Sequence, residues 1–221
     1  MRLITWNLFH GRALPAVHRD LSPEFAGALA RWRWDVALLQ EVPPWWGPLL
    51  GAACDAHART ALTSRNQLLP LRRAIARRDP EVLKSGGGGA DVVLVRGAAP
   101  EDHRVKALRL RPERRVVHAV RLPEVGWVAN VHAQVRPHTA ARADLRRAGE
   151  ALDRWAGPDA PVLLGGDCNV ADPRVHGLAD LGGHDIDRLL GRGWRATARP
   201  TTLERHGLSD HAPVAFEVER A

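Results

Sequence analysis

Residues 162–169 read Val-Leu-Leu-Gly-Gly-Asp-Cys-Asn, an apolar run that ends in glycines and polar side chains. A short run of aliphatic residues followed by turn residues predicts a buried β-strand. Asp167 and Asn169 are two residues apart, so their side chains lie on one face of an extended strand end, and Cys168 points into the core on the other face. The stretch therefore predicts a strand that brings a carboxylate and an amide to a common site.

Four more apolar runs carry polar side chains at one end. The polar residues at these ends are Asn7, Glu41, His132, Asp210 and His211. Where strand ends converge, carboxylate, amide and imidazole groups can hold a hard divalent cation and activate water against a phosphoester. The pattern predicts a metal-assisted hydrolytic site whose members come from nearly the whole length of the chain.

The length and charge of the chain restrict its class. A chain of 221 residues fits one domain, residues 1–221, with a substantial core. The 32 Lys and Arg residues exceed the 25 Asp and Glu residues, and the net charge of +7 favours a polyanionic partner such as nucleic acid, a phospholipid surface or a nucleotide. Lys84 and Lys106 are the only lysines. Such a preference for arginine is typical of a compositional bias of the genome, so the charge gives modest support for an anionic substrate.

No segment of the chain predicts membrane insertion or a disulfide framework. No stretch approaches the roughly 18 uninterrupted apolar residues of a membrane span. Cys54 and Cys168 are too few and too far apart to indicate a disulfide scaffold or a thiolate metal cluster. We therefore expect a soluble protein of the reducing cytoplasm.

Apolar periodicity predicts an alternation of strands with a few helices, which is typical of an α/β fold. Ser22 is a candidate N-cap with Pro23 in the first turn of a helix. The glycine tract at residues 86–89 predicts a loop or a strand entry. In chain order the predicted elements are a strand at 2–6, a helix from Ser22, a strand ending at Glu41, a weak strand at 60–69, an unassigned basic segment at 71–78, a strand at 92–95, a hairpin at 104–110 and 115–122, a strand at 127–131, a helix at 139–155, two more strands, and a polar loop at 188–199.

The polar motifs resemble those of the endonuclease/exonuclease/phosphatase superfamily, which includes deoxyribonuclease I, abasic-site endonucleases, neutral sphingomyelinases and inositol polyphosphate phosphatases. Five motifs occur in the family's order, and together they are far more specific than any one of them. The resemblance implies a deoxyribonuclease I-like fold, in which two packed mixed or antiparallel β-sheets flanked by helices form a four-layer sandwich. It also implies a cleft at one edge of the sandwich that holds the site.

The resemblance assigns metal-binding and water-handling roles. It implies that Glu41, Asn7 and Asp210 hold Mg²⁺, and Mn²⁺ suits the same oxygen ligands. It also implies that Asp167 orients or deprotonates the attacking water. The Asn169 amide would then donate to the phosphate or to the water.

The resemblance also implies that His211 contacts the phosphate and that Asp187 holds this histidine, with Asp185 as the competing partner. His132 would bind phosphate or protonate the leaving group. Asn66 is a further candidate substrate contact, and Asp91 is a candidate carboxylate support for His132.

The leading hypothesis is a divalent-metal-dependent phosphodiester hydrolase, a nuclease acting on DNA or RNA, with Asp167 serving the water. One alternative keeps the chemistry and changes the substrate to a small or lipid phosphoester, such as an inositol phosphate, a sphingomyelin-type lipid or a nucleotide. A less favoured alternative is a non-catalytic nucleic-acid-binding module. The oligomeric state stays open.

Other residues with functional chemistry have simpler interpretations. The remaining histidines, including His10 and His118, are expected at the surface or in turns. Trp45 and Trp46 are expected to pack locally rather than to stack on a ligand. The arginines of the basic segment, at positions 72, 73, 77 and 78, are expected to form a solvated face.

Overall fold

The structure, a computed structural model, describes residues 1–221 and consists of two β-sheets packed face to face between layers of helices. The strands are β1 (Arg2–Asn7), β2 (Val36–Val42), β3 (Ala56–Leu62), β4 (Ala90–Arg96), β5 (Asp102–Arg109), β6 (Arg115–Leu122), β7 (Gly126–His132), β8 (Val162–Asp167), β9 (Ala179–His184), β10 (Asp187–Arg192), β11 (Trp194–Ala196), β12 (Thr201–Thr202) and β13 (Val214–Arg220). The helices are α1 (Ser22–Arg31), α2 (Gly47–Ala53), α3 (Leu69–Arg78), α4 (Pro80–Leu83) and α5 (His138–Ala156).

Each sheet is mixed and contains one parallel pair of strands. The first sheet has the order β11-β13-β1-β2-β4-β3, with β12 beside β13, and the second has the order β5-β6-β7-β8-β10-β9. Strands β1 and β2 are parallel in the first sheet, and β7 and β8 are parallel in the second. All other pairs are antiparallel, so the predicted architecture of two mixed sheets is confirmed.

Three apolar clusters hold the layers together. Leu3, Leu38 and Val93 face the second sheet, whereas Ile4 and Leu39 belong to a cluster shared with α1 and α2. A third cluster joins α5 to the outer face of the second sheet. Central strands are buried on both faces, which explains why they read as continuous apolar runs rather than as alternating ones. The four-layer sandwich predicted from the family resemblance is confirmed.

One local prediction, next to the unassigned basic segment, was wrong. The strand expected at residues 60–69 ends at Leu62, and the unassigned arginine-rich segment forms helix α3, none of whose residues is buried. The helix at Ser22 is confirmed, but its capping is not by Ser22. The Asp20 carboxylate accepts the Ser22 amide at 2.9 Å, so the acidic residue satisfies the helix end.

The polar loop expected at residues 188–199 is also wrong, because this segment contains β10 and β11. Leu189 and Leu190 are fully buried, and the flanking charges are paired. Arg188 bonds Asp180, and Arg192 donates to Asp153 at 2.8 Å. Because arginines flank a run of only two apolar residues, the sequence pattern indicated a polar loop where the structure has a strand. None of the helices has the length and apolar composition needed to cross a membrane.

Candidate active site

The candidate residues converge because both parallel strand pairs end at the same edge of the sandwich. Asn7 on β1 pairs with Gln40 on β2, and His132 on β7 pairs with Asp167 on β8. The two sheets meet directly at this edge, where Asn7 Nδ2 donates to Asp167 Oδ2 at 3.1 Å. Parallel neighbours end side by side, so four polar strand ends are brought together without any long loop.

Two buried amides fix the distance between the sheets beneath the site. Gln40 Nε2 donates to Asn130 Oδ1 at 2.7 Å, and Asn130 Nδ2 donates to the carbonyls of Leu39 and Val92 at 2.8 and 3.1 Å. Both side chains are 0% exposed. A buried amide left unpaired would cost about 1–3 kcal/mol, so these bonds favour one register of sheet against sheet.

Several site residues lie in the left-handed backbone region. Glu41 has φ 49°, Asn169 has φ 51° and His10 has φ 56°. At Glu41 the conformation coincides with a bulge in the pairing of β2 with β4, which turns this side chain out of the strand alternation. Such conformations cost about 1–3 kcal/mol each for residues with a side chain. Because these conformations are concentrated at one edge of the sandwich, the surrounding structure must hold the backbone there in dihedral angles that the residues themselves disfavour.

Asp167 is a buried carboxylate with organised donors. Its Oδ2 accepts Asn7 Nδ2, and its Oδ1 accepts the backbone amide of Asn169, both at 3.1 Å. Burial, reinforced by the negative charge of Asp187, raises the pKa of Asp167 from 3.8 to about 7. A carboxylate that titrates near neutral pH suits general base catalysis, because it combines availability with sufficient basicity.

His211 is held by Asp187 and not by Asp185. Its Nδ1 lies 2.7 Å from Asp187 Oδ2, whereas Asp185 is 83% exposed in its side chain and faces His184. Burial alone would lower the pKa of His211, but the hydrogen bond and charge of Asp187, with the charge of Asp167, raise it to about 9. The imidazole is therefore protonated at neutral pH, and its Nε2 lies 3.9 Å from Asp167 Oδ2.

His132 occupies the position between the buried carboxylate and Glu41. Its Nε2 lies 3.5 Å from Asp167 Oδ2 and 3.9 Å from Glu41 Oε1. Burial, together with the nearby positive charge of Arg115, lowers the pKa of His132 well below its ordinary value. This imidazole is therefore neutral, in contrast to His211. The Asn169 side chain donates to the Ala133 carbonyl at 2.9 Å, which joins the loop after β8 to the end of β7.

Asp91 lies in β4 and is fully buried, and no hydrogen bond joins it to His132. Both of its carboxylate oxygens lack a partner, and burial raises the pKa of Asp91 well above its ordinary value.

His118 is also fully buried, with its ring against that of His103 at 4.8 Å, so the surface position expected for it was wrong. Burial lowers the pKa of His118 to about 3.

His10 is a site residue that the sequence interpretation missed. Its Nε2 lies 3.1 Å from Glu41 Oε2, and its Nδ1 lies 3.2 Å from the Gly88 carbonyl oxygen. Burial would raise the pKa of Glu41, but the hydrogen bond from His10, together with the nearby His10 and Asn7 side chains, outweighs it and lowers the pKa well below its usual range. Glu41 is thus ionised. The available sequence signal was the position of His10, three residues after Asn7 and directly before Gly11.

Asp210 and Asn66 lie at the margin of the site. Asp210 is exposed, and the adjacent Ser209 hydroxyl donates to the Asn7 carbonyl at 2.6 Å, which attaches the segment carrying His211 to β1. Asn66 donates from Nδ2 to the Gly89 carbonyl at 3.0 Å and packs against the glycine tract. The structure brings the other candidates into direct contact and leaves these two outside that network.

The donor set suits a hard cation. Carboxylate oxygens of Asp167 and Asp187 lie within 4.8 Å of each other, and Asp187 Oδ1 is buried without a partner, whereas the protonated His211 ring beside them has no lone pair to offer. The ionised Glu41 carboxylate and the Asn7 amide add oxygen donors on the first sheet. Oxygen-rich sites with few imidazoles favour Mg²⁺ or Mn²⁺ over softer metals.

A small cationic cleft opens beside Glu41 and His132. It encloses about 160 Å³, and Arg65, Arg114 and Arg115 contribute to its wall. Arg115 and Arg65 both bond the Glu113 carboxylate at 2.6 Å. The buried Nε of Arg115 has no hydrogen-bond partner. Three guanidinium groups against two carboxylates, Glu41 and Glu113, leave the wall with a net positive charge that favours an anionic group in the cleft.

Comparison with known proteins agrees with this geometry. The model of the Endonuclease/Exonuclease/phosphatase family matches residues 4–211, which include every residue of the candidate site. No curated protein matches the chain.

Solved structures share the fold at low sequence identity. An endonuclease/exonuclease/phosphatase from Beutenbergia cavernae superposes with a TM-score of 0.73 at 18% identity, covering 100% of this chain and 71% of that one. A mannosyl-6-phosphatase from Bacteroides thetaiotaomicron gives 0.67 at 14% identity, with 99% of both chains covered. A truncated TDP2 from Caenorhabditis elegans gives 0.65 at 16% identity, with 100% and 97% covered.

Proposed function

The chain belongs to the endonuclease/exonuclease/phosphatase family, and from that premise we propose that it is a divalent-metal-dependent phosphodiesterase that cleaves nucleic acid. Membership supports phosphoester hydrolysis in general. One observation carries the more specific mechanism. Asp167, whose pKa is raised to about 7, lies between the neutral His132 and the protonated His211.

In this mechanism Asp167 is the base for the attacking water. Hydrogen bonds from the Asn7 side chain and from the backbone N–H of Asn169 orient the Asp167 carboxylate, so one of its oxygen lone pairs can accept the water proton. His211 carries a positive charge fixed by Asp187, and it donates from Nε2 to a non-bridging phosphoryl oxygen. Both groups are in place before the substrate arrives, which reduces reorganisation in the transition state.

His132 is neutral, so it would hydrogen-bond a phosphoryl oxygen through Nε2 rather than protonate the leaving oxygen, because only an imidazolium can act as the general acid. Glu41 and Asn7 would hold the cation, with Asp210 as a further ligand through water. When bound, Mg²⁺ or Mn²⁺ supplies positive charge to the phosphoryl oxygens. His10 keeps Glu41 ionised and oriented.

Nucleic acid is the proposed substrate because the surface around the cleft is cationic. The net charge is +7, and the cleft wall contributes three arginines. Each phosphate of a polyanion that contacts such a surface adds to the binding free energy, whereas a small monoester contributes one such contact. Small phosphoesters are retained as test substrates, since the cleft volume of about 160 Å³ also fits a single phosphate with its sugar.

The test compares wild type with Asp167→Asn on supercoiled plasmid, single-stranded DNA, RNA and a panel of phosphomonoesters, each with Mg²⁺, Mn²⁺ or EDTA. Asp185→Asn is the matched control, because this exposed aspartate lies outside the site. We expect metal-dependent cleavage of nucleic acid that falls at least about 10³-fold in Asp167→Asn and is unchanged in the control. Turnover confined to phosphomonoesters would replace the nuclease with a phosphatase. Full activity in Asp167→Asn would refute the assigned base.

A further inference from the structure

A second groove lies beside the site, between the turn after β2 and helix α3. It encloses about 400 Å³ and is lined by Pro44, Trp45, Pro70, Arg73 and Arg77, among others. No acidic side chain contributes to its lining. Helix α3 has no buried residue, so packing against the core does not explain its presence. The groove is therefore a surface that is cationic and aromatic and has no partner within the chain.

The arginines of this groove are arranged for an anionic partner. Arg73 and Arg77 are four residues apart on α3, so they lie on the same face. Neither guanidinium group forms a hydrogen bond or an ion pair within the protein, although those of Arg65, Arg114 and Arg115 do. Like charges at this spacing destabilise an isolated helix. An anion between them would remove that cost and gain charge-assisted hydrogen bonds.

Trp45 differs from its neighbour in the way expected of a stacking residue. Trp46 is 4% exposed, and its ring lies 5.4 Å from that of Phe25 in the core. Trp45 is half-buried: it packs against the core cluster of the first sheet, as expected, but it has no aromatic partner and also borders the groove. Proteins bind single-stranded nucleic acid with aromatic side chains flanked by guanidinium groups, because an unpaired base can stack on the ring while the phosphates pair with the cations.

The groove connects to the site by a short path. Trp45 follows Glu41 by four residues, which limits the distance to about 14 Å. A Cβ on Gly88 would lie 3.2 Å from Pro44, and the Gly88 carbonyl is in contact with His10. A strand whose scissile phosphate lay at Glu41 would reach Trp45 within roughly two to four nucleotides.

We propose that this groove binds a single-stranded segment of the nucleic acid substrate, with an unpaired base stacked on Trp45 and its phosphates paired with Arg73 and Arg77. The proposal rests on the proposed function for its substrate class. It is tested by binding alone, in Asp167→Asn protein with EDTA, so that failure of hydrolysis and failure of the groove give different results.

The probes are a fluorescein-labelled oligothymidine and a label-matched abasic strand of the same length, measured by anisotropy over a range of salt concentrations. Trp45→Ala should weaken oligothymidine binding roughly 5- to 100-fold and leave the abasic strand within about twofold. Trp45→Phe should retain most of the affinity, which excludes misfolding as the cause. Arg73→Ala with Arg77→Ala should reduce the slope of log K against log salt by about 1.4, since each phosphate contact contributes about 0.7.

The control for removing two surface charges is Arg142→Ala with Arg146→Ala, an exposed pair at the same spacing on α5, where Arg142 donates to the Asp172 carbonyl and Arg146 pairs with Glu150. It should leave both affinity and salt slope unchanged. Equal effects of Trp45→Ala on the two strands, an unchanged slope in the α3 double variant, or an equal slope change in the control would each overturn the proposal. So would binding of the α3 face to phosphatidylserine vesicles, lost in the α3 double variant, with no effect of that variant on oligothymidine.

Discussion

Asp187→Asn tests whether the charge of Asp187 is what keeps His211 protonated. The raised pKa of about 9, against 6.5 for an ordinary histidine, corresponds to roughly 3 kcal/mol in favour of the protonated ring. Asp187 is the largest of the groups that raise it, because its Oδ2 lies 2.7 Å from Nδ1. Asparagine keeps the shape and can still accept the Nδ1 proton through its carbonyl oxygen. The substitution therefore removes charge and leaves the ring orientation, and the pKa of His211 should fall by at least about one unit.

The assay is an NMR titration of histidine ring protons in the metal-free protein, with the His211 resonance assigned by its absence in His211→Gln. The same two proteins are followed through denaturant unfolding. A histidine whose folded pKa is raised contributes stability that is fully present below the unfolded pKa of 6.5 and is lost as pH rises through about 9. Wild type should therefore exceed Asp187→Asn in unfolding free energy most just below pH 6.5, and the difference should shrink toward pH 9 and again at acid pH, where Asp187, whose pKa burial raises, becomes protonated.

Asp185→Asn is the control for this measurement, because Asp185 is on the same segment but is 83% exposed and faces His184. It should leave the His211 titration unchanged. An unaltered pKa in Asp187→Asn would refute the account of the dyad, and so would an equal fall in Asp185→Asn. Activity gives a second readout: in Asp187→Asn, kcat/KM should fall with rising pH from nearer neutrality than in wild type.

Three further results are expected. In the metal-free protein, the pKa of Asp167 is raised from 3.8 to about 7, so wild type loses stability as pH rises through this range; Asp167→Asn should be more stable by roughly 1–2 kcal/mol above pH 7 and by little near pH 4, as measured by urea unfolding. Gly166→Ala would place a Cβ against a backbone carbonyl of β7 at φ +138°, and it should cost more than about 4 kcal/mol or abolish soluble expression, as circular dichroism would show. His10→Gln should weaken Mg²⁺ binding about tenfold by calorimetry because it releases Glu41, whereas His57→Gln on exposed β3 should not.

The strands that form the site could be predicted from sequence because each is buried on both faces and ends abruptly in polar residues. That pattern is local, so a short window contains it. The hydrogen bond that joins the two sheets could not be predicted from a local sequence pattern. Gln40 and Asn130 look like ordinary strand-end amides, and only the packed structure shows Gln40 Nε2 donating to Asn130 Oδ1 across the interface.

The errors arose where tertiary contacts outweighed local pattern. Helix α3 has no buried face, so apolar periodicity could not reveal it. His118 is buried by the packing of β6 against its neighbours, which sequence does not encode within a short window. Asp185 and Asp187 share a strand face by spacing alone, but Asp185 adopts φ 47°, which ends the alternation and directs only Asp187 to His211.

The location of the site follows from the two parallel pairs more than from any single motif. Antiparallel neighbours place the end of one strand beside the start of the next, so they cannot bring together two polar ends of the same kind. Parallel pairs do, and here each sheet has one. The residue after Gln40 is Glu41, and two residues after Asn130 comes His132. The buried amide bridge therefore sets the separation of a cation ligand on one sheet from an imidazole on the other. Changes that loosen the bridge should lower both activity and stability, because a shift of about 1 Å at the site can cost about 100-fold in rate and an unpaired buried amide costs about 1–3 kcal/mol of folding free energy.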